Sequence, residues 1–217
     1  MTKTALVGSL LALLIASNTT TAAEFSKSNL YIGASAGLSL LHNYDITEKT
    51  PGNPSFTIHD YISSDAGYNI SVQAGYRLNE RFRIQGDLGY LQNPNNKGFD
   101  GTALEGELSA LYSTVSVYYD IPFEHKIKPH IGVGFGLAHF DLQASANGIQ
   151  TPFGSDTTWL LRTAAGASYA LSEDLDLIGE YAYLHSGEYE LYSVAGTGSL
   201  TTTVQAHTFN VGLRYNF

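Results

Sequence analysis

Cysteine is absent from this 217-residue chain, so neither a disulfide framework nor a thiolate metal site is available. Cationic residues are scarce: 11 Lys and Arg stand against 20 Asp and Glu, a formal net charge of −9. Nucleic acid is held through clustered Lys and Arg, so this balance excludes it as a partner. Beyond the first residues no apolar run is long enough for a membrane-spanning helix. Methionine and tryptophan occur once each, whereas glycine (22) and tyrosine (15) are plentiful. Tyrosine favours strands and suits water–lipid boundaries, where the ring stays dry and the hydroxyl wet.

The apolar run that does occur opens the chain. MTKT carries Lys3, ALVGSLLALLIA (5–16) is uncharged, and SNTTTAA ends in small residues at Ala23. This is the three-part order of a secretory signal peptide, and the run is short for a membrane span. Residues 1–23 are therefore expected to be removed after Ala22 or Ala23. A single domain, 24–217, remains, starting near Glu24 and working outside the cytoplasm.

That domain is read as about eight segments of roughly ten residues, each alternating apolar and polar. LYIGASAGLSL (30–40) sets Leu30, Ile32, Ala34, Ala36 and Leu38 against Tyr31, Gly33, Ser35, Gly37 and Ser39. The same period runs through YNISVQAGYRL (68–78), RFRIQGDLGYL (81–91), LYSTVSVYYD (111–120), KPHIGVGFGLA (128–138), WLLRTAAGASYA (159–170) and LDLIGEYAYL (175–184). It ends in TFNVGLRYNF (208–217), where Phe209, Val211, Leu213, Tyr215 and Phe217 share one face. Short links at 79–80, 122–126 and 172–174 alternate with long ones at 42–66, 92–106, 142–156 and 185–203. Short turns on one side and long loops on the other fit an all-β, closed, eight-stranded antiparallel up-and-down transmembrane barrel. Its turns would lie in the periplasm and its loops outside.

A soluble barrel can also have eight alternating strands, with its apolar face turned inward. Here the polar face carries Arg77, Arg83, Asp87, Arg162, Glu180 and Arg214 among glycines such as Gly132, Gly134, Gly136, Gly166 and Gly212. A small barrel has little internal volume, so long polar side chains need residues without side chains beside them. On a solvated face such glycines would weaken the strands for no gain. The polar face is accordingly assigned to the lumen and the apolar face to lipid. Tyr76, Phe82, Tyr119, Tyr169, Tyr215 and Phe217 then form an aromatic belt at the short-turn side. Tyr68, Tyr90, Trp159 and Tyr183 form another near the long loops. In hydrocarbon a sheet cannot leave an edge unpaired, so the last strand must pair with the first.

YIGASAG (31–37), VSVYYD (115–120), KPHIGVGFG (128–136), GASYAL (166–171) and HTFNVGLRYNF (207–217) carry a family likeness. The chain resembles the small eight-stranded outer-membrane barrels of Gram-negative bacteria, the OmpA/OmpX-like and opacity-type surface-antigen group. The likeness is to the barrel alone, without a peptidoglycan-binding domain, and His130 stands where the family often has Tyr. It implies an outer-membrane location with both termini periplasmic and long loops extracellular. It implies partners in outer-membrane lipid, lipopolysaccharide and the barrel assembly machinery. Phe209, Val211, Leu213, Tyr215 and Phe217 would form the C-terminal signal that this machinery recognises. The implied role is that of a monomeric, non-enzymatic surface protein with an envelope function, whose loops contact host or envelope molecules.

Two other functions are open at this level. The lumen charges Arg83, Asp87, Arg162 and Glu180 could gate a narrow ion channel, although inward ion pairs and hydrogen bonds filling a small barrel are the favoured account of them. LHSGEYE (184–190) brings His185, Ser186 and Glu188 together in sequence, as a lipid-modifying hydrolase would need. Neighbours in a strand point to opposite faces, however, so His185 and Ser186 would diverge. No HxH or HExxH spacing marks a metal site. The acidic stretches DITEK (45–49) and HDYISSD (59–65) could bridge divalent ions to lipopolysaccharide, or be solvated charge. No cofactor is implied.

Overall fold

The computed structural model describes residues 29–42, 44–50, 52–98, 103–123, 125–146, 149–151, 154–194 and 198–217. The expected leader, 1–23, lies outside them. Among the described residues the regular structure is strand, in the order β1 (Leu30–Leu41), β2 (Tyr44–Lys49), β3 (Phe56–Ser64), β4 (Gly67–Arg77), β5 (Phe82–Gly98), β6 (Ala103–Asp120), β7 (Ile127–Ala146), β8 (Ile149–Thr151), β9 (Ser155–Ala170), β10 (Leu175–Ser186), β11 (Tyr189–Val194), β12 (Gly198–Thr202) and β13 (Gln205–Asn216). Eight of them, β1, β4, β5, β6, β7, β9, β10 and β13, pair in a closed antiparallel ring. Closure is made by β1 and β13, in register from Tyr31↔Asn216 to Leu41↔Ala206. The N–H of Phe217 donates to the carbonyl of Leu30 (3.0 Å), so the pairing reaches the last residue. No backbone group of a spanning strand is left facing lipid, as a hydrocarbon environment demands.

Alternation is preserved strand by strand. Val211 is 62% exposed and Phe135 59%, whereas Tyr118 is 0% and Arg83 1% exposed. So large an apolar outer surface on a closed sheet is stable only against lipid. On each ring strand five or six outward positions make up this apolar row. With strands tilted about 45°, nine to eleven residues cross a bilayer core.

The long connections are not irregular loops. β5, β6 and β7 are 17, 18 and 20 residues long, well beyond the length needed to cross. Much of 92–106 and 142–156 is therefore strand, and 42–66 and 185–203 hold the hairpins β2–β3 and β11–β12. Asn93, Pro94 and Asn95 hide the continuation of β5, since proline cannot donate to a ladder and asparagine favours turns. Cross-strand pairing overrides these local preferences: Pro94 lies opposite Glu107 of β6, and its carbonyl accepts from the N–H of Asp65 (2.9 Å).

Candidate functional site

The lumen is built around tyrosines laid over glycines. Tyr31, Tyr112 and Tyr118 point inward, each directly opposite a glycine on the next strand: Gly75, Gly89 and Gly132. A Cβ at Gly75 would come within 2.1 Å of the Tyr31 ring, one at Gly89 within 2.2 Å of Tyr112, and one at Gly132 within 2.6 Å of Tyr118. Three interior glycines thus make room for tyrosine rings, and Gly33 makes room for Gln73 (2.6 Å), a long polar side chain of the kind anticipated from sequence; Gly134 and Gly212 lie against Ser116 and Ser35.

The six expected interior polar residues are held among these rings. At the short-turn end Arg214 donates twice to Asp176 (3.1 and 2.9 Å), and Arg77 donates to Asn216 (2.7 Å), which donates to Asp176 (3.0 Å). Both guanidiniums stand 5.3 Å from the centroid of Tyr31. One layer further in, Arg83 donates to Asp120 (3.1 Å), the Tyr31 hydroxyl (2.9 Å) and Gln85 (2.6 Å) and lies 3.9 Å over the Tyr118 ring. Gln85 donates to Asp87 (2.8 Å) and Gln73 (2.9 Å). Arg162 donates to the Tyr118 hydroxyl and pairs with Glu180, which also accepts from Tyr118 (3.0 Å) and meets His130 Nε2 at 3.3 Å. Buried charges persist only when paired and hydrogen-bonded, and the arginines and Glu180 meet that requirement.

Parity puts Tyr31, Gln85, Tyr118, Asp120, His130 and Asp176 on the inward face, but the sequence reading does not count them in the network that they complete. His130, which stands where the resembled family often has Tyr, is 1% exposed and touches Glu180. Its inward parity was the available signal.

Above the charged layers comes an amide layer. Asn69 donates to Asn210 (2.8 Å) and accepts from the Tyr112 hydroxyl (3.0 Å), and Asn210 donates to Thr208 (3.1 Å). Beyond it, contrary to expectation, the lumen turns largely apolar, although Ser39, Asn93, Asn95 and Thr158 also stay buried there. Leu91, Leu108, Phe140, Leu160, Leu184 and Val204 meet in a buried apolar plug, with Phe140 stacked on Tyr189 at 5.1 Å. The plug leaves a cavity of only about 10 Å³, lined by apolar side chains. That is barely the room of one water, and an apolar lining offers water no partner. In AHFDL (138–142) Ala138, Phe140 and Leu142 face in while His139 and Asp141 face out. Parity continues unbroken, but polarity inverts, because here the sheet stands in water and buries its apolar face on itself.

The hydrolase candidates are not brought together. His185 points outward, its ring 5.8 Å from Trp159 and 6.3 Å from Tyr183. Ser186 is fully buried, donating to the Gly187 carbonyl (2.8 Å) and accepting from the Val204 N–H (2.8 Å). Glu188 is exposed and pairs with Lys49. Ser186 therefore ties the start of the β11–β12 hairpin to its end. No group of three or more His, Asp or Glu poised for a metal occurs among the described residues. The side chains of His59 and Asp60 lie outside that description.

The two hairpins join into one sheet with the barrel. β12 pairs with β2 from Ser199↔Lys49 to Thr202↔Ile46, and β3 pairs with β5 through Ile62↔Gly98. Lys49 of β2 and Glu188 before β11 pair across the hairpins, and the Glu190 N–H donates to Asp156 of β9 (3.1 Å). The aromatic residues stand outward at the two ends of the apolar rows. Phe82 packs on Tyr119 (5.2 Å) and Tyr215 on Phe217 (5.2 Å), with Tyr76 and Tyr169 at the same short-turn end. At the other end Tyr68 and Tyr90 both donate to Gln92 (2.7 and 3.1 Å), Trp159 stacks on Phe135 (6.2 Å), and Tyr183 donates to Gln205 (2.9 Å).

Comparison with known proteins agrees with this architecture. A family model described as an outer membrane protein beta-barrel domain matches residues 9–217. Outer membrane protein PagN of Salmonella typhimurium is 24% identical, over 88% of this chain and 91% of that protein. The crystal structure of OprG from Pseudomonas aeruginosa superposes with a TM-score of 0.59 at 13% identity, covering 88% of this chain and 97% of that one. Neisserial surface protein A superposes with a TM-score of 0.51 at 19% identity, covering 87% and 97%.

Proposed function

The chain belongs to the outer-membrane β-barrel domain family, and from that premise we propose that it is a monomeric, non-enzymatic surface protein whose loop-side sheet engages host or envelope molecules. The observation that carries this reading is the joining of β2–β3 and β11–β12 into one sheet above an apolar plug. Such a sheet is a preformed recognition surface, and binding to a preformed surface avoids the entropy of ordering loops. The plug speaks against ion conduction, and the separation of His185, Ser186 and Glu188 speaks against hydrolysis.

In this reading residues 1–23 are removed on export, both termini and the short turns face the periplasm, and the hairpins face outward. Phe217, Tyr215, Leu213, Val211 and Phe209 serve the assembly machinery before they serve as lipid-facing anchors. Exchange of 44–64 and 189–202 for short turns tests the proposal. The exchanged barrel should still run as a compact, faster form on unboiled gels of the outer-membrane fraction, while adhesion of expressing bacteria to host cells falls to the level of cells lacking the protein. Undiminished adhesion would overturn it.

A further inference from the structure

The rows of outward apolar residues end in an uneven way. On β1 the row from Leu30 to Leu40 is followed by His42, on β7 the row to Leu137 by His139, on β10 the row to Tyr183 by His185, and on β13 the row from Phe217 to Phe209 by His207. Four of the seven histidines thus occupy the first polar outward position above the apolar band. The strands β1, β13, β10, β9 and β7 are consecutive neighbours in the ring, so these histidines form one arc. β9 contributes Trp159 and Thr157 within it.

Ring contacts join the arc from His207 through Tyr183 and His185 to Trp159. The His207 ring stacks on Tyr181 (centroids 5.9 Å, 23°), with Nδ1 2.8 Å from its hydroxyl, and lies 5.2 Å from Tyr183. His185 sits between Tyr183 and Trp159. His139 Nδ1 is 2.9 Å from the Thr157 hydroxyl. Facing residues are otherwise neutral: Leu161 and Gln205 flank His185, Leu40 and Tyr183 flank His207, Leu111 and Thr157 flank His139, and His42 donates its N–H to the Gln205 carbonyl (2.9 Å). Acids stand near both ends of the arc: Asp45 lies three residues beyond His42, and Glu188, paired with Lys49, three beyond His185. Asp141 lies two residues beyond His139 and accepts from Gln143 (3.3 Å), Asp156 accepts from the Thr157 and Glu190 N–H groups (2.7 and 3.1 Å), and Asp65 precedes β4 on the far side of β1.

Permanent cations are elsewhere. Arg77, Arg83, Arg162 and Arg214 are in the lumen, Arg81, Lys126 and Lys128 are at the short-turn side, and Lys49 pairs with Glu188. Among the described side chains the arc holds neither Lys nor Arg. A boundary that meets anionic headgroups is ordinarily stocked with such cations. Here the groups able to become cationic are imidazoles, whose charge ordinarily changes between about pH 5 and 8.

We propose that the arc His42, His139, His185 and His207 is a docking strip for the phosphorylated headgroups of outer-leaflet glycolipid, engaged as the medium acidifies. Unprotonated, the strip is an aromatic shelf at the lipid boundary; protonated, it presents positive charge at the level of the phosphates. The cellular setting rests on the proposed outward orientation of the hairpins. Vesicles carrying lipid A in both leaflets make the test independent of orientation, so its failure is distinguishable from failure of that reading.

Trp159 is the single tryptophan and lies inside the arc, so it can serve as donor to dansyl-labelled lipid A. The full chain is reconstituted into phosphatidylcholine vesicles containing the labelled lipid, and energy transfer is followed from pH 8 to pH 5. Transfer should report lipid enrichment rising roughly fivefold for each proton gained. The quadruple variant His42→Gln, His139→Gln, His185→Gln, His207→Gln should show no such rise, which also controls for titration of the lipid's own phosphates. The variant His185→Lys, His207→Lys should keep transfer high at pH 8. Inorganic phosphate in excess should leave transfer in place; its abolition would overturn the assignment to lipid. Equal pH profiles for wild type and the glutamine variant, each running as the compact form on unboiled gels, would overturn the proposal.

Discussion

Replacing Gly132 by alanine adds a single methyl to the lumen wall, and its cost can be worked from the packing around Tyr118. The new Cβ would lie 2.6 Å from two atoms of the Tyr118 ring, so the ring must move. Its retreat is blocked from the other neighbouring strand by Arg83, whose guanidinium carbon is 3.9 Å from the ring centroid. Overpacking of this kind costs about 1–3 kcal/mol. If the hydroxyl is drawn away from Arg162 and Glu180, loss of a charge-assisted hydrogen bond adds about 1.5–3 kcal/mol. The expected destabilisation is therefore roughly 3–5 kcal/mol. Gly179→Ala is the control: Gly179 faces outward, and a Cβ there meets nothing within 4 Å. Its effect should stay within about 0.5 kcal/mol. Both variants would be refolded into lipid vesicles and unfolded in urea, followed by Trp159 emission and by compact mobility on unboiled gels. If the two midpoints translate into stabilities within about 0.5 kcal/mol of each other, tyrosine-over-glycine packing does not hold the lumen together.

Leu213 is central among the five outward residues of β13, so Leu213→Arg should cost about 2–4 kcal/mol and lower the yield of vesicle-inserted barrel; unchanged insertion would remove that face from lipid. Phe140→Ala with Leu108→Ala hollows out the plug, each truncation costing about 2–5 kcal/mol. Planar bilayers should show ion passage through that variant and none through the wild type, and an equally conducting wild type would show that the plug does not seal the lumen. Ser186→Ala removes both the bond to the Gly187 carbonyl and the acceptor for the Val204 N–H, at about 1–3 kcal/mol. Mass spectra of lipid A should be the same with wild type, with this variant and with no protein; a wild-type-dependent mass loss would restore the hydrolase reading.

What was legible from sequence, and what was not, follows from how many constraints act on a residue. Across the lipid-spanning stretches every strand obeys two at once, period-two parity and an apolar outer face, so Leu30 to Leu40 or Phe209 to Phe217 can be read without a structure. Parity also places Arg83, Arg162 and Glu180 inward. It says nothing of partners, because partners depend on register between strands distant in sequence: Tyr118 and His130 reach Glu180 from 62 and 50 residues away. Beyond the lipid the first constraint persists while the second reverses. Ala110 and Tyr112, Ala138, Phe140 and Leu142, and Leu160 keep the inward parity of their strands but are apolar, because the outer face there is wetted and only the inside can bury hydrocarbon. An apolar outer face along the whole of each strand was the assumption that made these segments look like loops. The inversion is itself a sequence signal once it is sought, and it falls on β7 between Leu137 and Phe140. His139 stands at that point, as His185 and His207 stand at the equivalent points of β10 and β13. The edge of the bilayer is thus written along the chain as the place where apolar side chains change faces, and on this arc histidine marks the change.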